Sequence, residues 1–73
     1  KHGVSNKEAE QVFFNNPTIF DDKKHSTKKE QRYYALGRTN SNRLLTIVFT
    51  IRNNNIRVIS ARPMGKREKE EYA

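Results

Sequence analysis

The chain has 73 residues, of which 33% are hydrophobic and 32% are charged, and its formal net charge is +7. This length allows one small domain that buries about 60% of the surface of its unfolded chain. The sequence contains no cysteine, which excludes disulfides and thiolate metal sites, and two histidines alone make a poor metal site. No apolar run approaches the roughly 18 residues of a membrane span. We therefore expect a soluble cytoplasmic protein without a metal, a cofactor or a membrane partner.

The first predicted element is a short helix that begins after Ser5 and ends near Asn15. Ser5 can cap the helix, and Glu8, three residues later, completes a capping box. Pro17 prevents the helix from continuing. Apolar residues at helical spacing form the face that should be buried: Ala9, Val12 and Phe13.

Four strands are predicted after this helix. Residues 18–21 form a brief edge strand, and residues 30–38 form a second strand after a lysine-rich loop. Residues 44–51 give the strongest strand pattern, and residues 56–61 form the last strand. Clusters of asparagine supply the two turns between the last three strands, because asparagine tolerates positive φ. The pattern predicts an antiparallel meander followed by a helix over Lys66–Tyr72.

The alternation of residues along the strands predicts two different sheet faces. One face should pack against the helices and carries the apolar alternate positions of the third strand: Leu45, Ile47, Phe49 and Ile51. The other face carries hydroxyl groups such as that of Thr50. Ser60 and Arg62 of the last strand share this second face, whereas Ile59 and Ala61 share the first. We expect an α+β fold with helices on one face of the sheet and an open, polar second face.

Positive charge is concentrated in one interval of the chain. No carboxylate occurs between Glu30 and Glu68, and seven of the eight cations in this interval are arginine: Arg32, Arg38, Arg43, Arg52, Arg57, Arg62, Lys66 and Arg67. The planar guanidinium group binds phosphate better than the point charge of lysine. The interval indicates a polyanionic partner, although a charge run can also be a merely solvated surface.

An ordered series of short motifs resembles the BrnT-type toxins, which belong to the wider RelE-like group. The series runs through Lys1-His2-Gly3-Val4-Ser5, Glu8-Ala9, Val12-Phe13, Asp21-Asp22, His25-Ser26, Glu30, Arg32, Gly37-Arg38, Arg43-Leu44-Leu45, Thr50, Arg57-Val58-Ile59-Ser60-Ala61-Arg62, Arg67-Glu68 and Tyr72. Each motif is weak alone, but the ordered set covers nearly the whole chain. Members of this family usually begin with a strand and a helix that carry an aromatic-Trp-Asp signature. That signature is absent, so we expect a single RelE-like domain over residues 1–73 that lacks these first elements.

The resemblance implies the toxin of a type II toxin–antitoxin system. Such a toxin is a ribonuclease that blocks translation and is neutralised by a BrnA-like ribbon-helix-helix antitoxin in a hetero-oligomer. The complex represses its own operon, so operator DNA is contacted only through the antitoxin. A second hypothesis, supported by the same charge pattern, is a non-catalytic basic nucleic-acid-binding module.

Metal-independent RNA cleavage needs a base for the 2′-hydroxyl, cations for the phosphorane and an acid for the leaving 5′-oxygen. Strand parity makes Arg62 the first candidate cation and Arg32 the second. Arg67 would project from the start of the last helix, where pairing with Glu70 or Glu71 is the alternative.

Acid and base candidates are fewer. Glu30 is the carboxylate that borders the arginine interval, and it is either a general base or an ion-pair partner of Arg32. His25 is a candidate acid or base near neutral pH, although a loop histidine is more often structural. Tyr72 is either a weak acid and stacking platform or a residue that packs the last helix. We expect further RNA contacts from the following residues: Arg52, Arg38, Lys28, Lys29, Thr50 and Ser60.

Overall fold

The computed structural model describes residues 3–24 and 26–72. Its elements follow one another as α1 (Asn6–Phe14), β1 (Thr18–Asp21), β2 (Arg32–Arg38), β3 (Leu44–Arg52), β4 (Asn55–Pro63) and α2 (Lys66–Tyr72). The four strands form one antiparallel sheet in the order β1-β2-β3-β4. The predicted α+β class and the antiparallel meander are therefore confirmed.

Local sequence signals explain where α1 and the turns are. The Ser5 side chain accepts a hydrogen bond from the Glu8 backbone N–H, and the Glu8 carboxylate accepts one from the Ser5 N–H, both at 3.1 Å. The predicted capping box is thus present. Asn53 and Asn54 have φ values of 54° and 65° in the tight turn between β3 and β4. Asparagine adopts this left-handed conformation more readily than other non-glycine residues.

The hydrophobic core lies between α1 and one face of the sheet. Ala9 and Val12 of α1 are buried against residues of β2 and β3: Ala35, Leu45, Ile47 and Phe49. The Phe49 ring stacks on Tyr33 at 5.4 Å and meets Phe13 edge-on at 5.1 Å. Three of the four apolar positions predicted for this face of β3 are buried, but Ile51 is 54% exposed because it lies at the strand end beside the β3–β4 turn.

The position of α2 shows that the prediction of both helices on one face of the sheet was wrong. Arg67 and Glu68 of α2 line a groove together with Thr46 and Val48, whose side chains alternate with the buried Leu45 and Ile47 along β3. The helix therefore lies on the sheet face opposite α1. None of its seven residues is buried, so no apolar stripe draws it onto the core face, and a polar contact described below holds it instead.

A β-bulge makes the predicted alternation of side chains in β4 wrong at Ile59. Val48 pairs with Ser60 and Phe49 pairs with Val58, so Ile59 has no partner in β3. The extra residue changes the direction of the side chains on either side of it. Ile59 consequently lines the same groove as Ser60 and Arg62 instead of sharing the core face with Ala61.

Among residues 3–24 and 26–72, no helix is long and apolar enough to cross a membrane.

Candidate nucleic-acid interface

A groove of about 420 Å³ lies on the sheet face opposite α1. We call it the Arg62 groove, and its lining residues are Asp22, Arg32, Tyr34, Thr46, Val48, Ile59, Ser60, Arg62, Arg67, Glu68 and Glu71. Strands β2, β3 and β4 form its floor, and α2 forms one wall. Three of the arginines from the acid-free interval are therefore brought together, as the parity argument predicted for Arg62 and Arg32.

The Arg62 guanidinium forms the shortest ion pair of the groove. Nη1 and Nη2 donate to the two carboxylate oxygens of Glu68 at 2.6 and 2.7 Å. This end-on, two-bond geometry is the strong form of an arginine–carboxylate contact. The Glu68 side chain is 17% exposed and the Arg62 side chain is 41% exposed, so the guanidinium is the member of the pair that is turned toward solvent.

The ion pair governs the protonation state of Glu68. The Arg62 hydrogen bonds, more than any other contact, hold the pKa of the Glu68 carboxyl at about 2, and the Gly65 backbone N–H adds to this effect. The buried Thr46 hydroxyl also lines the groove, and it makes no hydrogen bond to any part of the described chain. Glu68 is therefore a carboxylate throughout the neutral and mildly acidic range.

A second depression of about 430 Å³ adjoins the Arg62 groove, and Arg32 and Ile59 line both. Glu30 lies in this depression, where its carboxylate accepts from Arg32 Nε and from Arg52 Nη2, each at 3.3 Å. The ion pair between Glu30 and Arg32 that the sequence left open is therefore present. Arg57 also lines this depression, and it makes no ion pair with a described residue.

Arg67 behaves differently from the other groove arginines. Within the described ranges it forms no ion pair, so the predicted alternative of a helix pair with Glu70 or Glu71 is not realised. Its positive charge is available to a ligand in the groove.

Tyr34 is the aromatic residue of the groove floor. Its ring stacks on Phe20 of β1 with centroids 5.0 Å apart and planes at 20°. Burial, reinforced by the charges of Glu71, Asp22 and Glu68, raises the pKa of the Tyr34 hydroxyl. Tyr33 points to the opposite face and packs on the core. Of the two adjacent tyrosines, only Tyr34 therefore lines the groove.

The other candidate residues are distributed unevenly. Ser60 lines the Arg62 groove. Thr50 is buried, and its hydroxyl donates to the Gln31 carbonyl at 2.8 Å. Lys29 lines a small depression that it shares with Arg52, and Lys28 is exposed in the same loop. The sequence-predicted candidates Arg38 and Tyr72 do not line the Arg62 groove, and His25 falls outside the described residues.

The sequence analysis did not predict a role in the site for the two acidic residues of α2 that line the groove, Glu68 and Glu71. Glu68 served there to mark the end of the acid-free interval and as part of a family motif, although its position three residues after Gly65 is the spacing of a helix-capping glutamate. Glu71 was considered only as a partner of Arg67. Within residues 3–24 and 26–72, no group of three or more His, Cys, Asp or Glu side chains could hold a metal ion.

The fold and groove define a small α+β protein with a cleft on one face of an antiparallel sheet that three arginines and three acidic residues line. A family model described as a ribonuclease toxin, BrnT, of type II toxin–antitoxin systems matches residues 1–68. The chain therefore belongs to the BrnT family, and membership of a type II system implies an antitoxin partner. Comparison with curated proteins gave no match, and comparison with solved structures gave none either.

Proposed function

We propose that this protein is a RelE-like, metal-independent RNA endonuclease that inhibits translation in the cytoplasm and cleaves its substrate at the Arg62 groove. The observation that carries the proposal is the convergence of Arg32, Arg62 and Arg67 on one groove whose floor is an open sheet face. Several guanidinium groups on one concave surface can neutralise a ribose-phosphate backbone and the additional charge of a phosphorane. Membership of a family described as ribonuclease toxins supports the ribonuclease activity in this proposal.

The roles follow from the chemistry of cleavage. The 2′-oxygen attacks the adjacent phosphorus, a base removes its proton, and the 5′-oxygen leaves with a proton from an acid. Arg62 stabilises the phosphorane, while Arg32 and Arg67 hold the flanking phosphates. Glu30 remains our candidate base, because its carboxylate contacts Arg32 at the junction of the two depressions. His25 and Tyr72 are the candidates for the acid.

The remaining predicted contacts lie along the path of a bound strand. Arg52 and Thr50 line the second depression, Ser60 lines the first, and Lys28 and Lys29 extend the basic surface at the loop. Arg38 would contact phosphates only beyond the end of the groove. Salt-dependent binding is expected from such contacts.

The experiment is an RNA cleavage assay in the presence of EDTA with the parent chain, Arg62→Ala and Lys69→Ala. Lys69 is the matched control because it is an exposed cation of α2 that does not line the groove. We expect Arg62→Ala to lower cleavage about 100-fold or more while Lys69→Ala stays near the parent rate. Loss of parent cleavage in EDTA would refute metal independence, and full activity of a folded Arg62→Ala variant would remove Arg62 from the site.

The second candidate function is a non-catalytic binding module. The observation that favours it is that Arg62, Arg32 and Arg52 are all ion-paired to glutamates. It predicts RNA binding that weakens steeply with salt and leaves the RNA intact. Products that end in a 2′,3′-cyclic phosphate or a 3′-phosphate would exclude it.

The partner in this proposal is a BrnA-like ribbon-helix-helix antitoxin, and the complex represses its own operon by binding operator DNA. Co-expression with the neighbouring gene and gel-shift analysis of the promoter test both statements. The proposal fails if the neighbouring protein neither binds this chain nor relieves its toxicity.

A further inference from the structure

Glu68 joins three parts of the Arg62 groove. Its carboxylate accepts two hydrogen bonds from Arg62 of β4, at 2.6 and 2.7 Å. The same carboxylate accepts one from the backbone N–H of Gly65 at 2.8 Å. Glu68 itself lies in the first turn of α2. One side chain thus connects the last strand, the residue that precedes the last helix and the helix itself.

The position of α2 depends on contacts at its start. The helix has seven residues and none of them is buried, and a helix this short is not stable without packing. The buried Met64 anchors the preceding backbone, with its N–H donating to the Leu44 carbonyl at 3.1 Å. Glu68 supplies a hydrogen-bonded contact between the helix and β4, and it is adjacent in sequence to Arg67.

We propose that Glu68 is a positioning residue for RNA cleavage, which fixes the Arg62 guanidinium and holds α2, with Arg67, at the wall of the groove. This inference rests on the proposed function. Glu68 acts through Arg62 and does not touch the reacting atoms. The opposite role would be a mask, in which Glu68 competes with the RNA phosphate for the guanidinium.

The geometry favours positioning over masking. A guanidinium group has five N–H bonds in one plane, and the end-on pair with Glu68 uses one from each of Nη1 and Nη2. The Nε–H of Arg62 has no partner among the residues that the structure describes. Because Arg62 is also more exposed than Glu68, a phosphate can reach the free edge of the guanidinium while the carboxylate stays in place.

The charge state of Glu68 supports the same role. A carboxyl with a pKa of about 2 stays ionised at the pH values at which the enzyme works, so it is a poor general base. It instead supplies a permanent negative charge behind Arg62. The guanidinium is therefore held in one orientation before RNA arrives.

The test is a double-mutant cycle of Arg62→Ala and Glu68→Ala, read as cleavage of an RNA oligonucleotide. In the parent chain, which retains Arg62, we expect Glu68→Ala to lower kcat about tenfold to 100-fold with a smaller change in KM. In the Arg62→Ala background, Glu68→Ala should change the rate by no more than about twofold, because the group through which it acts is gone. Glu68→Gln keeps an oxygen that accepts from Arg62 and should lie between Glu68→Ala and the parent.

Glu70→Ala is the matched control, since Glu70 is an exposed carboxylate of the same helix that does not line the groove. Circular dichroism establishes that each variant is folded, and Glu68→Gln serves for comparison if Glu68→Ala is not. Folded Glu68 variants that cleave faster than the parent would establish a mask, and folded variants that cleave at the parent rate would show that Glu68 does not position Arg62; either result would overturn the proposal. Equal losses in both backgrounds would also overturn it, because they would indicate a general structural defect. Inactivity of the parent itself would refute the proposed function, and the role of Glu68 in cleavage with it.

Discussion

The Glu68–Arg62 ion pair should make the stability of the fold depend on pH in a defined window. The pKa of the Glu68 carboxyl is about 2 in the folded protein, against an ordinary value of 4.5. At about 1.36 kcal/mol per pKa unit, this difference stabilises the folded state by at most about 3 kcal/mol at neutral pH. The Arg62 side chain is 41% exposed, so solvent screening reduces the expected contribution to roughly 1–2 kcal/mol.

The direction follows from which state binds the proton first. The folded-state pKa of Glu68 is depressed, so the unfolded chain takes up the proton at a higher pH than the folded chain does. The stabilisation is therefore complete above about pH 5 and is lost as the pH falls from 4.5 toward 2. Glu68→Gln lacks the titrating group. We expect it to be less stable than the parent by roughly 1–2 kcal/mol at pH 6 and nearly equal to it at pH 2.

Urea denaturation followed by circular dichroism measures this difference at several pH values. Glu70→Gln is the control and should follow the parent at every pH, because Glu70 makes no ion pair with a described residue. Thermal unfolding gives a second readout, with roughly 4–16 °C separating the parent from Glu68→Gln at pH 6. If the free energies of unfolding of the two proteins differ by the same amount at pH 6 and pH 2, the ion pair does not control this carboxyl and the reasoning is refuted.

Four further substitutions test the packing by urea denaturation. Phe49→Ala should cost about 3–5 kcal/mol, because this buried ring contacts two other aromatic rings; a loss under 1 kcal/mol would contradict that packing. Gly37→Ala places a methyl group 2.8 Å from Val12 Cγ1 and should cost about 1–3 kcal/mol. Gly65→Ala, where the nearest atom is 3.5 Å away, should be tolerated, and equal effects at both glycines would refute the contrast. Thr46→Val should change stability by less than about 1 kcal/mol, since the buried Thr46 hydroxyl has no partner among the described residues; a larger loss would reveal one.

The features that sequence predicted correctly are encoded by residues close together in the chain. The capping box needs only Ser5 and Glu8, three residues apart. The turn between β3 and β4 needs only the conformational tolerance of Asn53 and Asn54. Strand alternation likewise operates over two residues at a time. Local rules of this kind gave the order of the elements and the buried face of β3.

The features that sequence missed depend on residues that meet only in the folded chain. Nothing in the sequence marks the bulge at Ile59, and a single extra residue there reverses the parity on one side of it. The segment Lys66–Tyr72 has no buried residue, so no apolar pattern could show on which face of the sheet it lies. In the folded chain, Glu68 of this helix pairs with Arg62 of β4 and the helix also contacts β2.

The charge pattern of the sequence also fails to show which residues pair in the folded chain. The interval from residue 31 to residue 67 contains no carboxylate in sequence, yet three glutamates outside it return to pair with its arginines. Glu8 pairs with Arg43 across 35 residues, while Glu30 and Glu68 pair with arginines nearer in the chain. The charge run in sequence therefore overstated how many arginines lack a carboxylate partner in the folded protein, although it contains three arginines that line the groove.

Local ion pairing and phosphate binding are compatible in this groove because the cations are arginines. A lysine ammonium that is paired with a carboxylate concentrates its charge on one atom, so a phosphate has to share or displace the carboxylate. A guanidinium group spreads its donors along two edges, and Arg62 uses only one of them for Glu68. The pair also fixes the orientation of the second edge, which lowers the entropy cost of binding a phosphate there. Under the proposed function, an arginine at position 62 therefore has a structural advantage over a lysine: one side chain has donors for a protein carboxylate and for a phosphate at the same time.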